Sequence, residues 1–149
     1  MKEIGPLLAL AEVIESADEP TWLLTWEDGI EVLADYDEED QRITFSSYLG
    51  AMPEADDVAL YKLLLSYNGI WHETGGVRTA ISEGQGVLLY DVSAVNLDRT
   101  QMAVILPDFA AKTLLWRQLF EKRHSGDTRS ETTSDEDALS DLLVSGIRV

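Results

Sequence analysis

Histidine, cysteine and ordered carboxylates carry much of enzyme and metal chemistry, and this chain offers little of the required spacing. His72 stands beside Glu73. A zinc protease helix needs a second histidine four residues after the first, and Gly76 occupies that place. The other histidine, His124, lies in or beside a polar stretch, and two such residues make a poor metal site. A partly exposed histidine flanking a helix end is the plainer reading of His72. Asp35, Asp37, Glu38, Glu39 and Asp40 invite comparison with a calcium loop. Counted from Asp35, an EF-hand would have Asp40 where glycine is required and Ser46 where glutamate is required. A solvated turn that discourages edge-to-edge pairing fits these acids better. Gly69, Gly75, Gly76, Gly84 and Gly86 form no phosphate loop ending in Lys-Ser or Lys-Thr, and no Gly-x-Ser-x-Gly elbow occurs. The chain has no cysteine, hence no disulfide, thiolate site or cysteine nucleophile. Carboxylate pairs can do acid–base work, but in so acidic a chain they arise by chance. These residues argue for no enzyme, cofactor or metal; a metal-dependent enzyme using the acidic turn stands as the alternative of another class.

The formal net charge is −17, yet 45% of the residues are hydrophobic. Chains this acidic are often disordered for want of apolar surface, and this one does not lack it. A folded protein of such charge repels nucleic acid and anionic membranes, which directs attention to a protein partner. At 149 residues it fits one domain with one core. Lys2, Glu3 and Ile4 follow Met1 with no signal-peptide-like apolar run, and uncharged stretches fall short of the roughly 20 residues of a membrane helix. A soluble, cytoplasmic protein is expected. The charge is uneven: residues 1–60 hold 16 acids against two bases, Lys2 and Arg42.

The elements follow from spacing. Pro6 suits a first helical turn, and Leu7, Leu8, Leu10, Ala11 and Ile14 recur at helical intervals, which predicts a helix over 5–16. Thr21 to Glu27 alternates, with Trp22, Leu24 and Trp26 on one face and Thr21, Leu23 and Thr25 on the other. Asp28-Gly29 is a hairpin signal, Ile30 to Tyr36 alternates again, and Arg42 to Leu49 completes a three-stranded meander. These aromatic positions read first as core; the functional alternative covers one sheet face with helix and leaves the other to a partner peptide, with Leu23 and Tyr48 as contacts. A second helix starts near Pro53-Glu54 and is apolar on more than one side, through Val58, Tyr61, Leu64 and Leu65 and also Leu60, Leu63 and Tyr67. Such a helix is buried on both sides, and a subunit interface can supply the second. Val77 to Ser82 and Gly86 to Val92 are two further strands, and Ile70 to His72 a possible short one. A helical pattern then runs from Asp98 to Lys122, with Pro107 placed to kink or split it. Residues 1–123 thus read as one α+β domain, 124–137 as a flexible polar linker and 138–149 as an apolar tail, able to dock in cis or on a partner.

This order of elements, in a small acidic cysteine-free chain, resembles the class I type III secretion chaperones of the CesT/Tir chaperone family: helix, three-stranded antiparallel meander, helix, two or three strands, helix. Trp26-Glu27-Asp28-Gly29-Ile30 looks like the family's first hairpin, and Leu63-Leu64-Leu65-Ser66-Tyr67-Asn68 like the end of its central helix. Gly86-Val87-Leu88-Leu89-Tyr90 looks like the following strand. Asn96-Leu97-Asp98, Phe109 and Leu115-Trp116-Arg117-Gln118-Leu119 look like the last helix. Asn68, Trp71-His72 and Gly146-Ile147-Arg148-Val149 are most similar to an ExsC-like regulatory subgroup. The resemblance covers about residues 5–123; Pro107 and the length of the tail depart from it.

The resemblance implies a cytoplasmic bacterial homodimer without cofactor or catalysis. It would bind the non-globular N-terminal segment of a secreted effector and keep it soluble and competent for secretion. The alternative within the family is a regulatory partner-switching chaperone that sequesters an anti-activator of secretion genes. By position, the resemblance puts effector contacts at Leu7, Leu10, Leu23, Thr25, Leu33 and Tyr48. It puts the dimer interface at Leu60, Leu64, Tyr67, Trp71 and Leu89.

Overall fold

A computed structural model of the chain describes residues 5–53 and 57–125. Six antiparallel strands form one sheet in the order β1-β2-β3-β4-β6-β5. They are β1 (Leu10–Glu15), β2 (Thr21–Trp26), β3 (Glu31–Asp37), β4 (Arg42–Ala51), β5 (Arg78–Ser82) and β6 (Gln85–Ser93). Two helices, α1 (Val58–Gly69) and α2 (Arg99–His124), complete the α+β fold. The expected second helix, strands and last helix are all present, with α1 beginning at Val58 behind an Asp57 cap. Ile70 to His72 forms a turn, not a strand.

The expected first helix over 5–16 is absent. Gly5–Leu7 makes one 3-10 turn and Leu10–Glu15 is strand β1. It pairs with β2 along Leu10–Trp26, Val13–Leu24 and Glu15–Trp22. The helical spacing is real, but pairing satisfies the backbone of β2 and sets Leu10 and Val13 against its apolar side chains. Such tertiary gains override propensity.

The register sorts the sheet into two faces. Trp22, Ala34, Phe45 and Tyr90 lie opposite one another across four strands, as do Leu24 and Val32 in the next row. Both helices cover this face. The Phe109 ring of α2 packs on Phe45 and Tyr90. In α1, the Asn68 side chain accepts from Thr79 N–H at 2.7 Å and donates to Thr79 O at 2.9 Å, which holds the helix on β5. Tyr67 of α1 meets Trp116 of α2 edge to face, 5.2 Å between centroids. The core lies in this layer, with Leu60, Phe45, Phe109 and Trp116 fully buried.

Local chemistry fixes the ends. Asp98 and Gln101 form a reciprocal capping box at the start of α2. Helix α2 runs unbroken through Pro107, which is exposed, and through His124, where the polar linker was expected to begin. Glu83 and Gly84, both with positive φ, make the tight turn between β5 and β6. The remainder of the expected linker and the tail over 138–149 lie outside the described residues.

Candidate functional site

The second sheet face has no helix over it among the described residues. One row crosses all six strands, running Ile14, Leu23, Leu33, Ser46, Leu89, Arg78. Strand alternation puts these side chains opposite the helices. Leu23, Leu33 and Leu89 are half-buried and Ile14 is exposed, so an apolar stripe reaches solvent. Beside it, Tyr48 pairs with Val87, which in turn pairs with Ala80; Tyr48 is 54% exposed. Val87 is buried by its neighbours but stands apart from the helix-side core cluster.

Polar rows border the stripe. On one side Thr21, Asp35, Thr44 and Asp91 are in register. Thr21 donates to Asp35 at 2.7 Å, Thr44 donates to Asp91 at 2.8 Å, and Arg78 pairs with Asp91. On the other side lie Glu12, Thr25 and Glu31. The result is a shallow apolar strip with acidic margins, set on a rigid sheet. Arg117 of α2 ties the rim, its Nε donating to Tyr48 O at 2.8 Å and a terminal nitrogen donating to Gly29 O at 3.1 Å.

Of the expected partner contacts, the structure brings Leu23, Thr25, Leu33 and Tyr48 together on this face. Leu10 sits on the other face, packed against the core. The side chain of Leu7 lies outside what the structure describes. Of the expected subunit contacts, Leu60, Leu64 and Tyr67 are buried within the chain's own core. Only Trp71, 51% exposed, is open to a neighbour, while Leu89 belongs to the open sheet face. Helix α1 nevertheless has a second apolar face, made by Val58, Tyr61 and Leu65, with Leu65 71% exposed. The sequence shows α1 to be apolar on more than one side; the resemblance put Leu60, Leu64 and Tyr67 at the interface by position, whereas the chain's own core buries these three and leaves Val58, Tyr61 and Leu65 exposed. Ile14, Ser46 and Val87 were missed. Ile14 was read as helical; the other two are legible only from cross-strand register.

The site's electrostatics are those of a binding surface. No group of three or more histidines or acids is placed to hold a metal among the described residues. Burial pushes the Tyr67 hydroxyl up to about 12, nearby Trp116 opposing and Asp108 adding to the shift. Burial, with help from Asp108, raises Tyr90 as well. Both tyrosines lie in the core, so neither supplies an ionised group to the open face.

The model of the Tir chaperone protein (CesT) family matches residues 2–117. The chain belongs to this family. Solved structures of similar fold include the ExsC–ExsE complex, at 17% identity and a TM-score of 0.65, covering 78% of this chain and 87% of that one. They also include the HopA1–SchA chaperone–effector complex, at 13% identity and 0.62, covering 78% and 88%. A third is the Yersinia pestis type III secretion chaperone SycH in complex with a fragment of YscM2, at 18% and 0.58, covering 76% and 92%. No curated protein sequence matches the chain. The expected resemblance therefore holds at the level of family and of fold. No described helix of this CesT-family chain is long and apolar enough to cross a membrane.

Proposed function

We propose that this type III secretion chaperone receives an extended segment of a secreted effector on its open sheet face, in the bacterial cytoplasm and without catalysis. One observation carries the reading: an apolar stripe of Ile14, Leu23 and Leu33, continued by Leu89 beyond Ser46, lies on a sheet face that no described helix covers, while both helices pack on the opposite face. An extended segment can set alternate side chains on such a row. The acidic margins keep the row soluble before binding and favour a client with basic side chains. Ordering a non-globular client costs entropy, so a long contact is required, and six strands supply one.

The second apolar face of α1, continued by Trp71 near edge strand β5, is the surface proposed to join two copies. This places the interface on Val58, Tyr61, Leu65 and Trp71.

Co-expression with the proteins encoded beside it, followed by pull-down and calorimetry, identifies the client. Leu23→Glu with Leu33→Glu should weaken binding at least tenfold while leaving the melting temperature nearly unchanged, since both residues lie outside the core. Undiminished binding by that double variant rejects the face. Capture of a regulator instead of an effector favours the partner-switching role on the same surface. Light scattering tests the other half: the wild type should be dimeric at micromolar concentration and Leu65→Glu monomeric. A monomeric wild type sinks the proposed interface.

A further inference from the structure

Strand β1 is a poor match for its own sequence. Leu10, Ala11, Glu12 and Glu15 are good helix formers, and alanine and glutamate are depleted in strands. The helical spacing of this segment and its observed strand state are therefore in local conflict. Its side chains also bury little. Ala11, Glu12, Ile14 and Glu15 are exposed, only Leu10 and Val13 are half-buried, and the pairing is interrupted between Leu10 and Glu12. The chain enters β1 through Ala9 at φ 49°, a left-handed conformation that L side chains avoid. Strand β2 is the opposite case. Every one of its residues is at least half-buried, and Trp22, Leu23, Leu24 and Trp26 make it apolar on both faces, as an interior strand is.

An edge strand that buries little of its own side chains thus covers the edge of a strand built to be covered. Charge says what would cover it better. Glu12 sits in one row with Thr25 and Glu31, so β1 adds acid to an already acidic margin. A strand with lysine or arginine in the place of Glu12 exchanges repulsion for attraction.

We propose that β1 is a placeholder: a client segment with a basic residue in the place of Glu12 and apolar residues in the places of Val13 and Ile14 takes its position on the edge of β2, and Leu10–Glu15 is released. This rests on the client-binding reading above and adds where the client's backbone goes. The new strand would pair with β2 by main-chain hydrogen bonds and extend the apolar row in place of Ile14.

The absence of cysteine allows a clean test. Ser16 N–H donates to Thr21 O at 2.9 Å, so the adjacent Glu15 and Trp22 form a non-hydrogen-bonded pair. Such pairs lie about 4.5 Å apart at Cα, within disulfide reach. In the full chain, Glu15→Cys with Trp22→Cys can be locked by oxidised glutathione and released by dithiothreitol. The probe is a fluorescein-labelled nine-residue peptide of three Lys-Val-Val repeats, which sets lysine in the places of Glu12 and Glu15 and valine in those of Val13 and Ile14, followed by anisotropy. The reduced variant should bind it, and the oxidised variant at least tenfold more weakly. Hydrogen exchange on the wild type supplies a second readout. Amides of β1 should exchange faster than those of β3, and saturating probe should strip β1 of its remaining protection while protecting β2. Equal affinity in the two redox states, or β1 amides still protected under saturating probe, overturns strand replacement.

A Leu33→Glu variant separates the two proposals, because Leu33 is remote from the β2 edge. If Leu33→Glu abolishes binding and the lock does not, the open face stands and the exchange falls. If the lock abolishes binding and Leu33→Glu does not, the exchange stands and the face falls. A wild type that ignores the probe overturns both.

Discussion

A Cβ built on Gly86 would lie 2.4 Å from Cζ and 2.8 Å from Cε1 of Phe120, and Phe120 is itself fully buried against Gly50. The ring must shift to make room, so Gly86→Ala overpacks the contact that seats the end of α2 on the sheet. We expect a loss of about 1–3 kcal/mol, read as a lower urea midpoint, and a neutral result would mean that α2 sits less tightly than the structure shows. Tyr67 sets the opposite test. Its hydroxyl and the Trp116 indole N–H are buried without a hydrogen-bond partner among the described residues, close together but not in bonding geometry. An unpaired buried hydroxyl costs folding free energy. Tyr67→Phe should therefore be neutral or more stable by up to about 1 kcal/mol at pH 7. The sign at high pH follows from the shift. The folded pKa stands at about 12, above the ordinary 10.0, so the tyrosine's contribution is intact below pH 10 and is lost as pH rises from there through the folded value. The phenylalanine variant should gain on the wild type above pH 10 in melting experiments, and parallel stability curves would refute the shift.

At the scale of elements, α1 and α2 are joined where one begins and the other ends. Asp57 caps α1 by accepting from Leu60 N–H at 2.9 Å, and Arg123 of α2 donates to the same carboxylate at 2.7 and 2.9 Å. Partial burial alone would raise the Asp57 pKa, but the Leu60 bond and the Arg123 charge together hold it below its ordinary 3.8. Asp57→Ala should cost about 1–2 kcal/mol at pH 7, chiefly through the lost cap. A depressed pKa stabilises the fold above the ordinary value and is lost as pH falls through the folded one. The gap between variant and wild type should hold at neutral pH and narrow below 3.8; a gap that persists in acid would trace the cost to packing. The elements were legible where local pattern and tertiary need agree. Asp28-Gly29 between alternating runs gave the β2–β3 hairpin, and the helical spacing that runs from Asp98 gave α2. They were illegible where the two part company. Nothing in residues 5–16 announces that the edge of β2 outbids a helical pattern, and nothing in α1 tells its two stripes apart until the sheet supplies Thr79 and the core supplies Trp116. The candidate face was half legible. Leu23 and Tyr48 follow from alternation, whereas the row joining Leu23 to Leu33 and Leu89 exists only through register.

Across the whole molecule, the two proposed surfaces answer to different forces. The open sheet face is apolar within acidic margins, on a chain of net charge −17 whose first 60 residues hold 16 of the acids. The outer face of α1 offers Val58, Tyr61 and Leu65, with Lys62 as the charged residue among them. Salt separates these cases. Raising ionic strength from about 0.01 to 1 M shortens the screening length from roughly 30 to 3 Å. Capture of a basic client, steered by the acidic half, should then slow by about 10- to 100-fold in association rate, with little change in dissociation. Pairing of two equally acidic copies should respond in the other direction. Screening relieves their mutual repulsion, and the apolar contact on Leu65 does not weaken with salt. Stopped-flow mixing with the client and light scattering on the chain alone, at the same two salt concentrations, make the comparison. Client capture that is indifferent to salt would remove the acidic margins from the mechanism. A dimer that dissociates in high salt would show that polar contacts, not the outer stripe of α1, hold the copies together.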